Sequence, residues 1–190
     1  MNRTASDAEA VRLARAGDAS AYGLLVTQHQ EAAFRAAYLI LRDAQAAEDV
    51  TQEGFVRAYR ELARFRADDP FRPWLLRIVT NLALNEVRRR KRGIALLERF
   101  GRQPSQPAEG PETVTVEGET QRRVWEAINR LSLDDRLILY LRYFLELNEA
   151  DTARVIDKAA GTVKSRLHRA GRRLRVLIEK EYPDLRLSDD

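Results

Sequence analysis

The side chains of this chain that could do chemistry are cations, amides and carboxylates, and their spacing suits recognition rather than bond making. There is no Cys, and the two His, His29 and His168, stand far apart with no metal-ligand spacing. No phosphate-cradling Gly-rich loop occurs. No catalysis, metal site or cofactor is therefore expected. The cations are concentrated instead. Between Thr162 and Lys180 stand seven Lys or Arg against one Glu. At a helical pitch of about 100° per residue, Ser165, His168, Arg169 and Arg172 share one face, with Lys164 and Arg173 on its shoulders. Such a face can enter a nucleic-acid groove, where cations meet phosphates and hydrogen-bonding side chains meet base edges. A solvated surface helix is the plainer alternative for an isolated basic segment.

A second stripe has different chemistry. Trp74, Arg77, Asn81, Asn85 and Arg88 recur at helical spacing, and Arg88-Arg-Arg-Lys-Arg92 follow as a cationic end. A ring that stacks, amides that pair with base edges and cations that hold phosphates are what a reader of unpaired bases needs. For Trp74 a turn back into the core is an equally good reading. A third stripe, Asp49, Gln52, Glu53, Val56 and Arg60, is mildly acidic with one apolar residue at its centre. It reads either as a partner-binding face or as an ordinary solvated one.

The elements that must carry these stripes are helices. Val163, Leu167, Ala170, Leu174 and Leu177 give the basic segment a buried edge. An apolar segment Leu137–Phe144 and a shorter one, Asn148–Ile156 with Asn148 as cap, precede it, and a turn at Asp157–Ala160 joins them. Two short helices, a turn and a longer basic helix make a helix-turn-helix. Upstream, the spacing predicts helices over about Asp7–Ala16, Ala19–Leu41 (capped by Asp18), Gln45–Phe65 and from Pro73 to about Arg92. His29 is expected to be packed or at the surface, not a ligand. Val50, Phe55, Ala58, Leu62 and Phe65 should be core, as should Leu75, Ile78, Val79, Leu82 and Ala83. Gly54 costs its helix about 1 kcal/mol relative to Ala, and nothing in the sequence accounts for it. Ala67–Pro73 reads as a loop.

Gly93–Gly118 holds Pro104, Pro107 and Pro111 with Gly101, Gly110 and Gly118, and reads as a linker in which only Ile94–Phe100 could form a helical turn or two. Glu119–Arg130 then opens a second domain with Val124, Trp125 and Ile128 inward, and Ser132 and Asp135 form a capping pair. The expected organisation is all-α: residues 1–92, a linker 93–118, a helix-turn-helix domain 119–182, and a frayed acidic tail 183–190. Of 33 basic residues only four are Lys, and Arg suits planar recognition of phosphate and guanine. The first twenty residues lack an apolar core of signal-peptide type and no apolar run reaches membrane-spanning length, so a cytoplasmic protein without membrane insertion is expected.

The order Ala47-Glu-Asp-Val-Thr-Gln-Glu53, Phe71-Arg-Pro-Trp-Leu-Leu-Arg-Ile78, Asn81-Leu-Ala-Leu-Asn85, a basic run, a linker, Leu141-Arg-Tyr-Phe144 and Gly161-Thr-Val-Lys-Ser-Arg-Leu-His-Arg-Ala170 resembles bacterial RNA polymerase sigma factors of the extracytoplasmic-function class. The resemblance spans both proposed domains in order. It implies a transcription initiation factor that directs polymerase core to promoters and helps open the DNA. Asp49, Gln52, Glu53 and Val56 would dock on the clamp helices of the largest polymerase subunit. The loop Phe65–Pro73, with Phe71 and Trp74, and the helix carrying Arg77, Asn81, Asn85, Arg88 and Arg89 would capture flipped bases of the minus-ten element. Lys164, Ser165, His168 and Arg169 would read the duplex minus-thirty-five element, with Arg166, Arg172 and Arg173 on phosphates. The flap region of the second-largest subunit would be a further contact, and the linker would thread the polymerase channel. An anti-sigma protein, which could hold the chain near a membrane, would be the regulator; without a thiol in this chain, a redox signal would have to be sensed by a partner.

Four residues depart from the family pattern: Thr152 at an apolar position, Asp157 in place of a turn Gly, Lys158 at an apolar turn position and Ala159 where Ser or Pro starts the recognition helix. They bear on how rigidly the turn is held. Two readings from other classes remain beside the sigma factor: a free-standing helix-turn-helix regulator, dimeric on palindromes, and a protein scaffold using these surfaces for regulation. The acidic and base-reading stripes argue against the regulator, which needs neither.

Overall fold

The computed structural model describes residues 3–66, 69–99 and 119–185. Among them are eight α-helices and no strand. The chain divides into two compact units, Met1–Gly110 and Pro111–Asp190.

In the first unit α1 (Arg3–Arg15) ends at Gly17, whose φ of 97° a side chain would resist. Asp18 then starts α2 (Ala19–Leu41): its carboxylate accepts from the N–H groups of Ser20 at 2.8 Å and Ala21 at 3.1 Å. Ala21, Leu25, His29, Ala33, Ala36 and Ala37 bury one stripe of α2, and the small alanines let α3 (Ala44–Glu61) and α4 (Phe71–Arg99) approach closely. Val50, Phe55 and Ala58 of α3, Leu62 of the 3-10 turn Leu62–Arg64 and Phe65 are all buried. So are Leu75, Ile78, Val79 and Ala83 of α4, with Leu82 half-buried.

The structure accounts for Gly54. A Cβ there would lie 2.6 Å from Cγ2 of Val79, so the glycine is where α3 and α4 touch most closely. Two boundaries differ from expectation. Helix α4 starts at Phe71, inside the expected loop, so Pro73 falls in its first turn as expected, where N–H groups have no intrahelical partners and a proline forfeits nothing. It also runs past Arg92 and Gly93 to Arg99; nothing approaches Gly93, so its cost to the helix is only the intrinsic one. The rest of the expected linker, 100–118, lies outside the described residues.

In the second unit α5 (Glu119–Asn129) buries Ala127 and Ile128, with Val124 and Trp125 half-buried. The Ser132 hydroxyl accepts from the Asp135 N–H and starts α6 (Leu133–Leu139), which passes into a π-helical turn, Tyr140–Phe144, where the Leu145 N–H reaches the Tyr140 carbonyl at 3.0 Å. Asn148 caps α7 (Glu149–Ile156) through the Asp151 N–H at 2.8 Å. Helix α8 (Ala160–Glu181) crosses α6 and α7 over a core of Ile138, Leu139, Ala153, Val163 and Ala170, flanked by Leu131, Ile156, Leu167 and Leu174. The expected tail begins instead with an ordered 3-10 turn, Pro183–Leu185, whose Asp184 pairs with Arg123 at 2.8 Å. Residues 186–190 lie outside the described residues.

Candidate nucleic-acid and partner interfaces

Because α3 turns one stripe into the core, Asp49, Gln52, Glu53, Val56 and Arg60 come out on the other. Val56 is 50% exposed. Tyr59 (49%) and, on α2, Leu24 (64%) add apolar surface that the sequence reading did not single out. Tyr59 was legible: it continues the Gln52–Val56 row at the next helical step. Beside it the half-buried Tyr22 donates its hydroxyl to the Phe55 carbonyl at 2.5 Å and meets the Tyr59 ring edge-on at 4.8 Å. Burial pushes that hydroxyl up to about 12, so it stays a donor at neutral pH. The face is thus acidic, partly apolar and held on a rigid helix.

On α4, Arg77, Asn81, Asn85 and Arg88 are exposed along one side. Arg88 donates to Oδ1 of Asn85 at 3.1 Å, which turns the amide NH2 outward. Trp74 is half-buried, with its ring 4.6 Å from Phe65 and 5.7 Å from Phe71. Phe71 does not share the surface. At 2% exposure it is core, and its place in the candidate DNA-contacting set is revised to that of a support beneath Trp74. The adjacency of two prolines made it look like loop; the helix that begins there turns it inward.

The basic end of α4 is partly neutralised. Glu86 takes Arg89 at 2.7 and 2.8 Å and Arg90 at 3.0 Å, and Arg90 reaches on to Asp43 at 3.1 Å. The Arg89 hydrogen bond, with Arg90 behind it, holds the Glu86 carboxyl down at about 2. Asp43, the N-cap of α3, is also lowered, first by the Ala46 N–H and then by Arg90.

On α8, Lys164, Ser165, His168, Arg169 and Arg172 are all exposed. Ser165 donates to the Thr162 carbonyl at 3.0 Å, and Arg169 Nε donates to the Ser165 carbonyl at 3.2 Å. Arg173 differs: it pairs at 2.7 Å with the buried Asp135 of α6, and Arg166 lies 3.7 Å from Asp134. These two cations tie the helix to its own domain. Arg130, Arg169, Arg172 and Lys180 rim a shallow groove of about 500 Å³ along the C-terminal half of α8, floored by Leu131 and Leu177.

The turn before α8 works without glycine. Asp157 takes the left-handed conformation (φ 54°), and Lys158 donates to the Ala153 carbonyl at 3.0 Å to close α7. Ala159 gives α8 no side-chain cap. Thr152 is fully buried with its hydroxyl unpartnered, whereas Thr51 and Thr80 donate to carbonyls one turn back at 2.7 and 2.8 Å. Among the described residues no cluster of His, Asp or Glu could hold a metal, and no helix is long and apolar enough to cross a membrane.

Helices alone among the described residues, with an amide-and-cation stripe exposed in one unit and a helix-turn-helix in the other, agree with the family matches: residues 25–93 match sigma-70 region 2 and residues 121–174 match sigma-70 region 4. Over 172 residues it is 36% identical to the RNA polymerase sigma-H factor of Pseudomonas aeruginosa, covering 86% of this chain and 89% of that one. Over 176 residues it is 35% identical to the ECF RNA polymerase sigma factor SigM of Mycobacterium tuberculosis, covering 91% and 85%. CnrH, solved in complex with the cytosolic domain of CnrY, superposes with a TM-score of 0.69 at 26% identity over 93% of this chain and 99% of that one. The sigma factor RpoE of Bartonella quintana shares the fold (TM-score 0.68, 24% identity, 84% and 98% covered). The chain belongs to the extracytoplasmic-function family of RNA polymerase sigma factors and is a transcription initiation factor.

Proposed function

We propose that Asp49, Gln52, Glu53 and Val56, extended by Tyr59, dock on the clamp helices of the largest polymerase subunit, while Asn81 and Asn85 capture unpaired minus-ten bases. Trp74 offers a ring for stacking, and Arg77, Arg88 and Arg89 hold the strand's phosphates. Stacking contributes about 1–3 kcal/mol per base, which offsets the few kcal/mol of unstacking and so opens DNA without nucleotide hydrolysis. Lys164, Ser165, His168 and Arg169 read the duplex minus-thirty-five element, and Arg172 contacts phosphate. Tyr143 and Phe144, 66% and 44% exposed, give the second unit an apolar surface for the flap region. The segment between the helical units acts as the linker through the polymerase channel, with residues 1–92 and 119–182 as the working domains. The protein works in the cytoplasm under an anti-sigma partner that could hold it near a membrane; a partner bound to the similar CnrH supports this part.

The observation that carries the reading is that α3 and α4 share one core yet turn chemically different stripes outward, one acidic and apolar, one amide and cationic. The test is Asp49→Lys with Glu53→Lys in a core-polymerase binding assay. A loss of affinity of about a hundredfold is expected for reversing two interfacial charges; unchanged affinity would remove α3 as the docking face.

A further inference from the structure

We propose that helix α1 is a brace for the strand-capture site, with Asp7 and His29 as positioning residues for Trp74. The inference rests on the reading of α4 just given and deepens it. Asp7 of α1 and His29 of α2 are 7% and 5% exposed, and both carboxylate oxygens of Asp7 lie 3.0 Å from Nε2 of His29. A carboxylate is rarely buried without a partner, and this pair belongs to none of the recognition stripes. The other side of His29 explains its place. Its ring lies 5.5 Å from Phe71, and Phe71 in turn lies 6.0 Å from Phe65 and 5.7 Å from Trp74. With Phe65 only 4.6 Å from Trp74, the four rings form one continuous packed cluster that reaches from the carboxylate of α1 to the ring at the surface.

The far end of α1 makes a second connection. Arg15 donates from Nη2 to the carbonyl of Ala63 at 3.3 Å, in the 3-10 turn that precedes Phe65. Helix α1 therefore touches both flanks of the 65–71 segment: the entering side directly, and the leaving side through His29 and Phe71. A hydrogen bond to one ring nitrogen fixes the orientation of an imidazole, and a fixed imidazole limits how Phe71 can pack. A site held this way does not have to be ordered when the DNA strand arrives, which is where flexible sites lose affinity.

The test uses holoenzyme assembled from core polymerase and the full-length chain. The probe is a fluorescein-labelled nontemplate-strand oligonucleotide of a promoter that the wild-type holoenzyme transcribes. Asp7→Ala should weaken capture of this strand by about tenfold, the scale of losing one stacked base, with core affinity unchanged. Asp7→Asn still offers an oxygen to the imidazole N–H and should restore capture. Arg15→Ala, a surface change, should give a smaller loss in the same direction. In the isolated chain carrying Trp125→Phe, which leaves Trp74 as the one tryptophan, Asp7→Ala should shift the emission and Asp7→Asn should not. Normal capture by Asp7→Ala, a parallel loss of core affinity, or no rescue by Asp7→Asn overturns the brace. Asn81→Ala is the companion control. If it too captures normally, the reading of α4 fails and takes the brace with it; if it is weak while Asp7→Ala is normal, only the brace fails.

Discussion

Gly54→Ala sets two known effects against each other at one atom. Inside a helix the change should gain about 1 kcal/mol from propensity. The new Cβ, however, would sit 2.6 Å from Cγ2 of Val79 and 3.7 Å from its Cβ. Carbon atoms pack best at about 3.5–4.0 Å, so roughly 1 Å must be found. Val79 cannot give it by rotating, because a β-branched side chain in a helix has essentially one χ1 well, and its surroundings are fully buried. Helices α3 and α4 must therefore separate, at the ~1–3 kcal/mol of an overpacked core. At the middle of that range the cost exceeds the propensity gain by about 1 kcal/mol. For a unit of this size that lowers the melting midpoint by about 4–8 °C, read from Trp74 fluorescence in a Trp125→Phe background. Val79→Ala, which costs stability alone, should make Gly54→Ala harmless, a coupling of at least about 1 kcal/mol. Strict additivity, or a Gly54→Ala chain more stable by about the propensity gain, would refute the close approach.

Thr152→Val should stabilise the second unit by about 1 kcal/mol, since it removes a buried hydroxyl without a partner; an unchanged or lower midpoint by Trp125 fluorescence, with Trp74→Phe, would contradict this. Arg173→Ala should cost that unit ~2 kcal/mol by stripping a charged hydrogen bond from buried Asp135, whereas Arg172→Ala should leave stability alone and reduce the salt slope of duplex binding by about one. Equal effects on stability would erase the distinction between strut and phosphate contact. Acid titration should reveal Glu86. Its folded pKa, about 2, lies below the ordinary 4.5, so its stabilisation is complete above about pH 4.5 and is lost as pH falls towards 2. Glu86→Gln should flatten that part of the stability profile; an identical profile would show that the Arg89 and Arg90 contacts do not persist in solution.

What the sequence made legible was whatever repeats along one helix. The buried rows Val50–Phe55–Ala58 and Val163–Ala170, and the exposed rows opposite them, follow from a single period. The caps Asp18, Ser132 and Asn148 were legible because capping is local. Contacts between helices were not. Gly54 means nothing until Val79 faces it, and Asp7–His29 and Asp135–Arg173 are set 22 and 38 residues apart in sequence. Phe71 was misplaced for the same reason: prolines on either side signal a loop, and only Phe65 and His29 packed around the ring show that it is core. The departures at Lys158 and Ala159 left the helix-turn-helix intact because Asp157 and the Lys158 N–H close α7 without glycine.

Transcription initiated by this chain is the most direct test of the roles of α3 and α4. Purified core polymerase should be given a pool of promoter fragments with and without it, and with the Asn81→Ala chain and the Asp49→Lys/Glu53→Lys chain. Specific initiation that requires the wild-type protein, disappears with the double reversal for want of core binding, and is lost at the opening step with Asn81→Ala is the predicted result. Initiation undiminished by both variants, or footprinting of duplex DNA by the protein alone with no core binding, would contradict it.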